Sequence, residues 1–354
     1  MRKIKIGDRF IGNGERPYFI ADIGANHDGD LERALMLIEM AKEAGADAAK
    51  FQNFKANKIV SNKGFDSLGG QVSHQANWRK SVVEVYEDAS ISYDWTKILK
   101  EKCDKVGVEY FTSAYDFDSV DHVDPYLRVY KIGSGDITWI EIIKYIAKKG
   151  KPVLIATGAS NMNDVDRAVD MLKQYTGDIV LMQCNTNYTA KPENFKYINL
   201  NVLKAFKERF PGTVLGLSDH TPGHATVLGA ITLGATVIEK HFTDDNNRLG
   251  PDHKFAMNPK SWREMVDYSN ELFNALGDGI KRVEENEKQT SIVQRRSLRY
   301  TRDIKSGTII KKTDLISLRP VSEGGFAPYE DIEIIGSILK LDVCKDDPVL
   351  KIDL

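Results

Sequence analysis

The sequence predicts a (β/α)8 barrel, the TIM-barrel class, followed by a small all-β module. Three observations carry that expectation. Eight short apolar or β-branched runs recur, each followed by a segment of helical period, over about 260 residues, which is the count and size of such a barrel. The rival fold, a doubly wound open sheet, needs a glycine-rich fingerprint after its first strand, and Gly24-Ala-Asn-His-Asp-Gly29 does not match G-x-G-x-x-G. Beyond residue 294 the texture changes to short strands and tight turns.

Tyr18–Asp22 reads as the first strand. Asp30 then supplies an N-cap, Leu31, Ala34, Leu35 and Ile38 share a helical face, and Gly45 stops the helix. Residues 48–52 form the second strand, followed by a long polar insertion and a helix near Tyr93–Val106. Strands at 108–112 and 129–132 precede helices near Phe117–Val123 and 137–149. The fifth strand, 152–156, leads into a helix whose Val165, Ala168, Val169 and Leu172 fall on one face. Strands at 179–183, 213–217 and 236–240 complete the set, with helices near 200–209, 225–233 and Pro259–Leu276. The chain thus reads as a barrel over 1–278, a polar linker over 279–294 and an all-β module over 295–354. That module is too small for much core of its own and is expected to lean on a barrel.

Composition narrows the function. Basic residues number 49 against 51 acidic, so no cationic excess stands ready to bind nucleic acid. No apolar stretch approaches a membrane span; the best, 227–238, is interrupted by glycine. The opening Met1-Arg-Lys-Ile-Lys5 lacks a signal-peptide core, and Cys103, Cys184 and Cys344 match no metal knuckle. A soluble cytoplasmic protein is expected.

Barrel enzymes carry their chemistry at the C-terminal ends of the strands. Those ends hold Asp22, Lys50, Ser113, Lys131 with Ser134, Thr157, residues 185–188, Ser218 with His220, and Glu239 with His241. Two lysines with several hydroxyls and the Gly133-Ser134-Gly135 backbone suit an anion bearing a phosphate and a carboxylate. A Schiff-base lysine is the other functional option. His220 and His241, one strand-helix-strand step apart, are expected at one level on neighbouring strands. With Asp219, Glu239 and Asp252 nearby they suit a divalent metal, and donor type alone leaves Mn²⁺, Zn²⁺ and Fe²⁺ open. The other histidines, His27, His74, His122, His224 and His253, are read as structural. The insertion at 53–90 is long for a βα loop and reads either as a lid or as a disordered segment, with Asn77 and Trp78 able to reach a substrate. Tyr188 reads either as a substrate contact or as a core cap.

These residues resemble a known family. Asp22-Ile-Gly-Ala-Asn-His-Asp-Gly29, Lys50-Phe-Gln52, Tyr130-Lys-Ile-Gly-Ser-Gly-Asp136, Thr157-Gly158, Gly216-Leu-Ser-Asp-His-Thr221, Glu239-Lys-His-Phe-Thr243 and Gly250-Pro-Asp252 resemble the N-acylneuraminate (sialic acid) synthases, which include legionaminic and pseudaminic acid synthases. Asp303-Ile304, Leu318-Arg-Pro320 and Gly325-Phe-Ala-Pro328 resemble that family's antifreeze-like (SAF) domain. The likeness runs in order along essentially the whole chain.

The resemblance implies condensation of phosphoenolpyruvate with an open-chain N-acyl hexosamine, N-acetylmannosamine or a diacetamido-trideoxy hexose. The products are a nine-carbon 2-keto-3-deoxy acid and phosphate. It assigns phosphoenolpyruvate to Lys50, Ser113, Lys131, Ser134, Thr186 and Ser218, and the sugar to Asp22, Asn77, Tyr188, Asp252 and Arg319. It assigns a divalent metal, typically Mn²⁺ or Mg²⁺, to His220 and His241, and makes Glu239 the general base for the attacking water. It also implies a domain-swapped homodimer in which Arg319 reaches the partner's barrel. Three departures fall on the sugar side: Asp22 and Asp136 stand where the family commonly has Glu, and Cys184-Asn-Thr-Asn-Tyr-Thr189 lacks the usual proline and places Thr186 where an Asn can stand. Two competing readings are a class I pyruvate aldolase using a Schiff-base lysine, and a non-catalytic carbohydrate-binding protein.

Overall fold

The computed structural model describes residues 2–68, 71, 75–76, 78–189 and 191–354. They form two compact units, Met1–Gly277 and Asp278–Leu354.

The first unit is the expected barrel. After an antiparallel hairpin of β1 (Lys3–Ile6) and β2 (Arg9–Gly12) come eight parallel strands. These are β3 (Tyr18–Asp22), β4 (Ala48–Asn53), β5 (Glu109–Ala114), β6 (Tyr130–Ile132), β7 (Val153–Ala156), β8 (Ile179–Cys184), β9 (Val214–Asp219) and β10 (Ala235–His241). They close in sequence order, β10 pairing with β3. Side chains alternate between two apolar compartments, as strand geometry requires. Phe19, Ala21, Phe51, Tyr110, Ile155 and Leu217 pack outward with the helices, while Tyr18, Ile20, Phe111, Leu154, Val180 and Val237 fill the lumen. Helix Leu31–Glu43 shows the local logic: Asp30 accepts from the N–H groups of Glu32 and Arg33, and Ala34, Leu37, Ile38 and Ala41 are buried.

Two features differ from the sequence reading. The first hairpin was not expected; its Ile4, Ile6 and Ile11 join the luminal cluster beside Tyr18 and Val214, at the N-terminal mouth of the barrel. The 53–90 insertion is not a bare loop, since it carries helices Ala56–Ile59, Asn62–Asp66 and Val82–Ala89. The last begins with a Ser81–Glu84 capping box, which satisfies donors at its start.

In the second unit β11 (Ser297–Tyr300) pairs antiparallel with β12 (Leu315–Leu318). Contrary to the expectation of little core, Leu298, Tyr300, Ile304, Ile310, Phe326, Ile334, Leu339, Val343 and Val349 form a buried cluster within it. Tyr329, Ile332 and Ile352 are large apolar side chains left exposed. Among the described residues no helix is long and apolar enough to cross a membrane.

Candidate active site

Register places the chemistry. His241 pairs with Asp22 and Asp22 with Lys50, so three neighbouring strands bring these groups to one level. Lys50 Nζ lies 2.6 Å from Asp22 Oδ2. On the far side, Lys131 Nζ is 3.1 Å from Glu239 Oε1, and Ser218 donates to the same oxygen at 3.1 Å. All four charged groups are buried, and pairing two cations with two carboxylates offsets part of their desolvation. Burial works against the Lys50 ammonium, but the Asp22 and Glu239 carboxylates outweigh it and raise its pKa. Burial likewise opposes ionisation of Glu239, yet Lys131 and Lys50 bring it down to about 2. Glu239 Oε2 and Ser113 Oγ are buried without a hydrogen-bond partner. The Ser113 hydroxyl and the two lysines can donate to an anionic ligand, whereas the free Glu239 oxygen can only accept a proton or a hydrogen bond.

Ser134 and Thr186 meet at Gly158. The Gly158 N–H donates to Ser134 Oγ at 2.9 Å, and a Cβ at Gly158 would stand 2.5 Å from Thr186 Cγ2. Ser113, Lys131, Ser134, Thr186, Ser218 and Lys50 thus all belong to the strand-end layer that the sequence pointed to.

The His220 and His241 rings lie 5.4 Å apart between centroids. His220 Nδ1 is 2.8 Å from the Asn185 carbonyl oxygen. A carbonyl only accepts, so Nδ1 carries the proton and Nε2 presents its lone pair. His241 Nε2 and Nδ1 each lie 3.5 Å from a carboxylate oxygen, of Asp22 and Asp252 respectively. Burial, with His241 alongside, lowers His220 to about 3. Burial also lowers His241 to about 4 although Asp252 opposes it, so both rings are neutral at pH 7. Among the described residues no three His, Cys, Asp or Glu side chains gather closely enough to enclose a metal. The donor set nevertheless fits a two-imidazole site. Both rings are neutral, His220 is held by a carbonyl as metal-bound imidazoles usually are, and His241 Nδ1 is a buried atom with no hydrogen bond.

Asp219, expected beside this pair, is not there. It sits one residue out of phase with Ser218 and His220, so it points out of the lumen, where Lys240 Nζ meets its Oδ2 at 2.5 Å. Thr221 and Thr226 donate to the same carboxylate. The buried pair therefore braces the turn carrying His220 from behind.

A cavity of about 360 Å³ opens beside His241. Its wall includes Phe54, Trp78, Tyr86, Tyr115, Tyr188, Asp136 and Asp252, and no lysine or arginine is among the described residues lining it. Burial raises the Asp136 carboxyl to about 6 against the pull of Lys131. Tyr188 packs against His220 and Phe255. Asp22 is engaged by Lys50 and by the Gly24 N–H, and it is not among the cavity-lining residues. Asn77 and His74 lie outside the described residues, and Arg319 belongs to the second unit, exposed after β12. Sequence reasoning missed Tyr86 and Tyr115 as site residues. Tyr115 directly follows β5, a strand-end position that was there to be read.

Residues 37–281 match the model of the NeuB family, and residues 295–354 match the SAF domain. The chain belongs to the NeuB family. This NeuB-family chain is 35% identical to N,N'-diacetyllegionaminic acid synthase of Legionella pneumophila, over 97% of this chain and 95% of that protein. It is 29% identical to human N-acetylneuraminate-9-phosphate synthase, over 97% of this chain and 94% of that protein. Among solved structures it is similar to the N-acetylneuraminic acid (sialic acid) synthetase of Leptospira borgpetersenii, with a TM-score of 0.72, 26% identity, and coverage of 82% of this chain and 95% of that one. This member of the NeuB family is an enzyme, a sialic-acid-type synthase, which sets aside the non-catalytic reading.

Proposed function

We propose that the enzyme condenses phosphoenolpyruvate with an open-chain N-acyl hexosamine in a metal-dependent reaction. The products are a nine-carbon 2-keto-3-deoxy acid and inorganic phosphate. The observation that carries this reading is the set of two buried lysine–carboxylate pairs next to two neutral imidazoles, at the mouth of one barrel.

Lys50 and Lys131 bind the phosphate and carboxylate of phosphoenolpyruvate, with Ser113, Ser134, Thr186 and Ser218 as hydrogen-bonding partners. C3 of phosphoenolpyruvate attacks the sugar aldehyde, water adds at C2, and cleavage of the C2–O bond releases phosphate. Glu239 accepts the proton of that water. Its free Oε2 faces the lumen unbonded, and its basicity rises once a bound anion shares the fields of Lys131 and Lys50. His220 and His241 would hold a divalent ion, Mn²⁺ or Mg²⁺, whose chemistry is Lewis-acid polarisation of the aldehyde oxygen. Tyr188 and Asp252 hold the sugar in the cavity beside His241, with Asn77 and Asp22 assigned to it by motif. The acceptor in this reading is N-acetylmannosamine or a diacetamido-trideoxy hexose.

The Schiff-base alternative needs a neutral amine, and the arrangement opposes it. Lys50 is paired at 2.6 Å with Asp22 and its pKa is raised, while Lys131 is paired with Glu239. For the assembly, we infer a domain-swapped homodimer with Arg319 reaching the partner's sugar site.

The test is phosphate release from phosphoenolpyruvate with Mn²⁺ across N-acetylmannosamine, its 6-phosphate and the diacetamido-trideoxy hexoses. Metal-dependent release with one of these acceptors is expected. Covalent trapping of pyruvate by borohydride, with no acceptor-dependent phosphate release, would show an aldolase instead.

A further inference from the structure

The loop after β10 and the loop after β3 are tied together by a network that no step above uses. Asp28 adopts a left-handed backbone, φ 53°, a region that non-glycine residues enter at a cost. Its Oδ1 accepts from His253 Nε2 at 2.9 Å, and its Oδ2 accepts from Arg248 Nη2 at 2.7 Å and lies 3.1 Å from Arg33 Nε. His253 is 0% exposed, and its Nδ1 lies 2.7 Å from Thr243 Oγ1. A carboxylate only accepts, so Nε2 bears a proton and donates it to Asp28. Arg33 also grips Asp244 through both terminal nitrogens. Asn246 Nδ2 donates to the carbonyls of His253 and Ala256, closing the loop on itself.

The residue delivered by this loop is Asp252. Its Oδ2 accepts the Ala25 N–H at 3.1 Å and stands 3.5 Å from His241 Nδ1. The approach is tight enough to exclude side chains. A Cβ at Gly24 would lie 2.8 Å from Asp252 Oδ2, and one at Gly250 would lie 2.6 Å from His253 Cδ2. A small displacement of the loop therefore moves Asp252 directly.

We propose that Asp28, acting through His253, is a positioning residue for the acceptor sugar. It holds the Gly250-Pro251-Asp252 turn so that Asp252 faces the cavity beside His241, and it touches neither substrate itself. This assignment rests on the functional reading of the same site. It predicts that the network governs the acceptor and leaves phosphoenolpyruvate, seated on Lys50 and Lys131, alone.

The test compares D28A, D28N, H253A and H253Q by steady-state kinetics and by hydrogen exchange over residues 244–256. D28A and H253A are expected to raise the acceptor KM roughly tenfold or more, as slight misplacement of a substrate-holding group does, with the phosphoenolpyruvate KM unchanged. D28N tolerates the left-handed backbone and still accepts from His253, and Gln at 253 still donates to Asp28, so both should recover much of the loss. The two alanine variants should also lose exchange protection over 244–256 in the unliganded protein. Unchanged protection, equal rises in both KM values, or no recovery by the conservative variants would overturn the positioning role. Absence of turnover in the unmodified enzyme with every acceptor would overturn the functional reading instead, because the exchange measurement does not depend on activity.

Discussion

Lys131 and Glu239 meet across the lumen rather than along it: β6 and β10 are opposite strands of the ring, yet Nζ and Oε1 are 3.1 Å apart. The pair spans the mouth of the barrel, and the second oxygen of Glu239 is left without a partner. A carboxylate in that position is both counter-ion and available base.

Replacing Glu239 by Gln should lower kcat by about 10²–10⁴-fold, the usual contribution of a positioned acid–base group. Stability should fall as well, because Lys131 loses its buried partner. The sign with pH follows from the depressed pKa: Glu239, at about 2 against an ordinary 4.5, stabilises the fold above pH 4.5, and that contribution fades as pH falls toward 2. Denaturant midpoints of E239Q and the parent should converge on acidification.

Asp136 has the opposite sense. Its carboxyl, raised to about 6 from 3.8 by burial, favours the fold most at low pH and loses that contribution as pH rises through 6. D136N should flatten this part of the stability profile. The acceptor KM of the parent should also change near pH 6, and that inflection should vanish in D136N.

The paired donors His220 and His241 should govern metal affinity. H220A and H241A are expected to lose Mn²⁺ binding in calorimetric titration while keeping the far-ultraviolet circular dichroism of the parent. Undiminished binding in both would remove the imidazoles from the metal site.

Much of this was legible in the sequence. The strand ends carried Asp22, Lys50, Lys131, Glu239 and His241 because parallel pairing fixes which residues share a level. The same alternation already implied that Asp219, one place out of phase with Ser218 and His220, turns away from the lumen. Helix Val82–Ala89 was also written in the insertion, where Val82, Val85, Tyr86 and Ala89 follow helical spacing, although its role as a cavity wall depends on tertiary folding. The first hairpin is different. Its short strands bury Ile4, Ile6 and Ile11 against residues far along the chain, a pairing that local pattern does not encode.

Lys240 gives a purely structural prediction. Both it and Asp219 are almost fully buried, so K240M leaves an unpaired buried carboxylate and should destabilise the barrel by about 3–5 kcal/mol. Equilibrium unfolding measures the loss. A change under about 0.5 kcal/mol would mean that the pair does not brace the His220 turn.

The most direct test of the mechanism uses phosphoenolpyruvate labelled with ¹⁸O at its bridging ester oxygen, with and without acceptor, and with Mn²⁺ or EDTA. Phosphate should appear only when acceptor and metal are both present, and it should carry the label, since water adds at C2 and the C–O bond breaks. Phosphate released without acceptor, or released free of label, would contradict the mechanism.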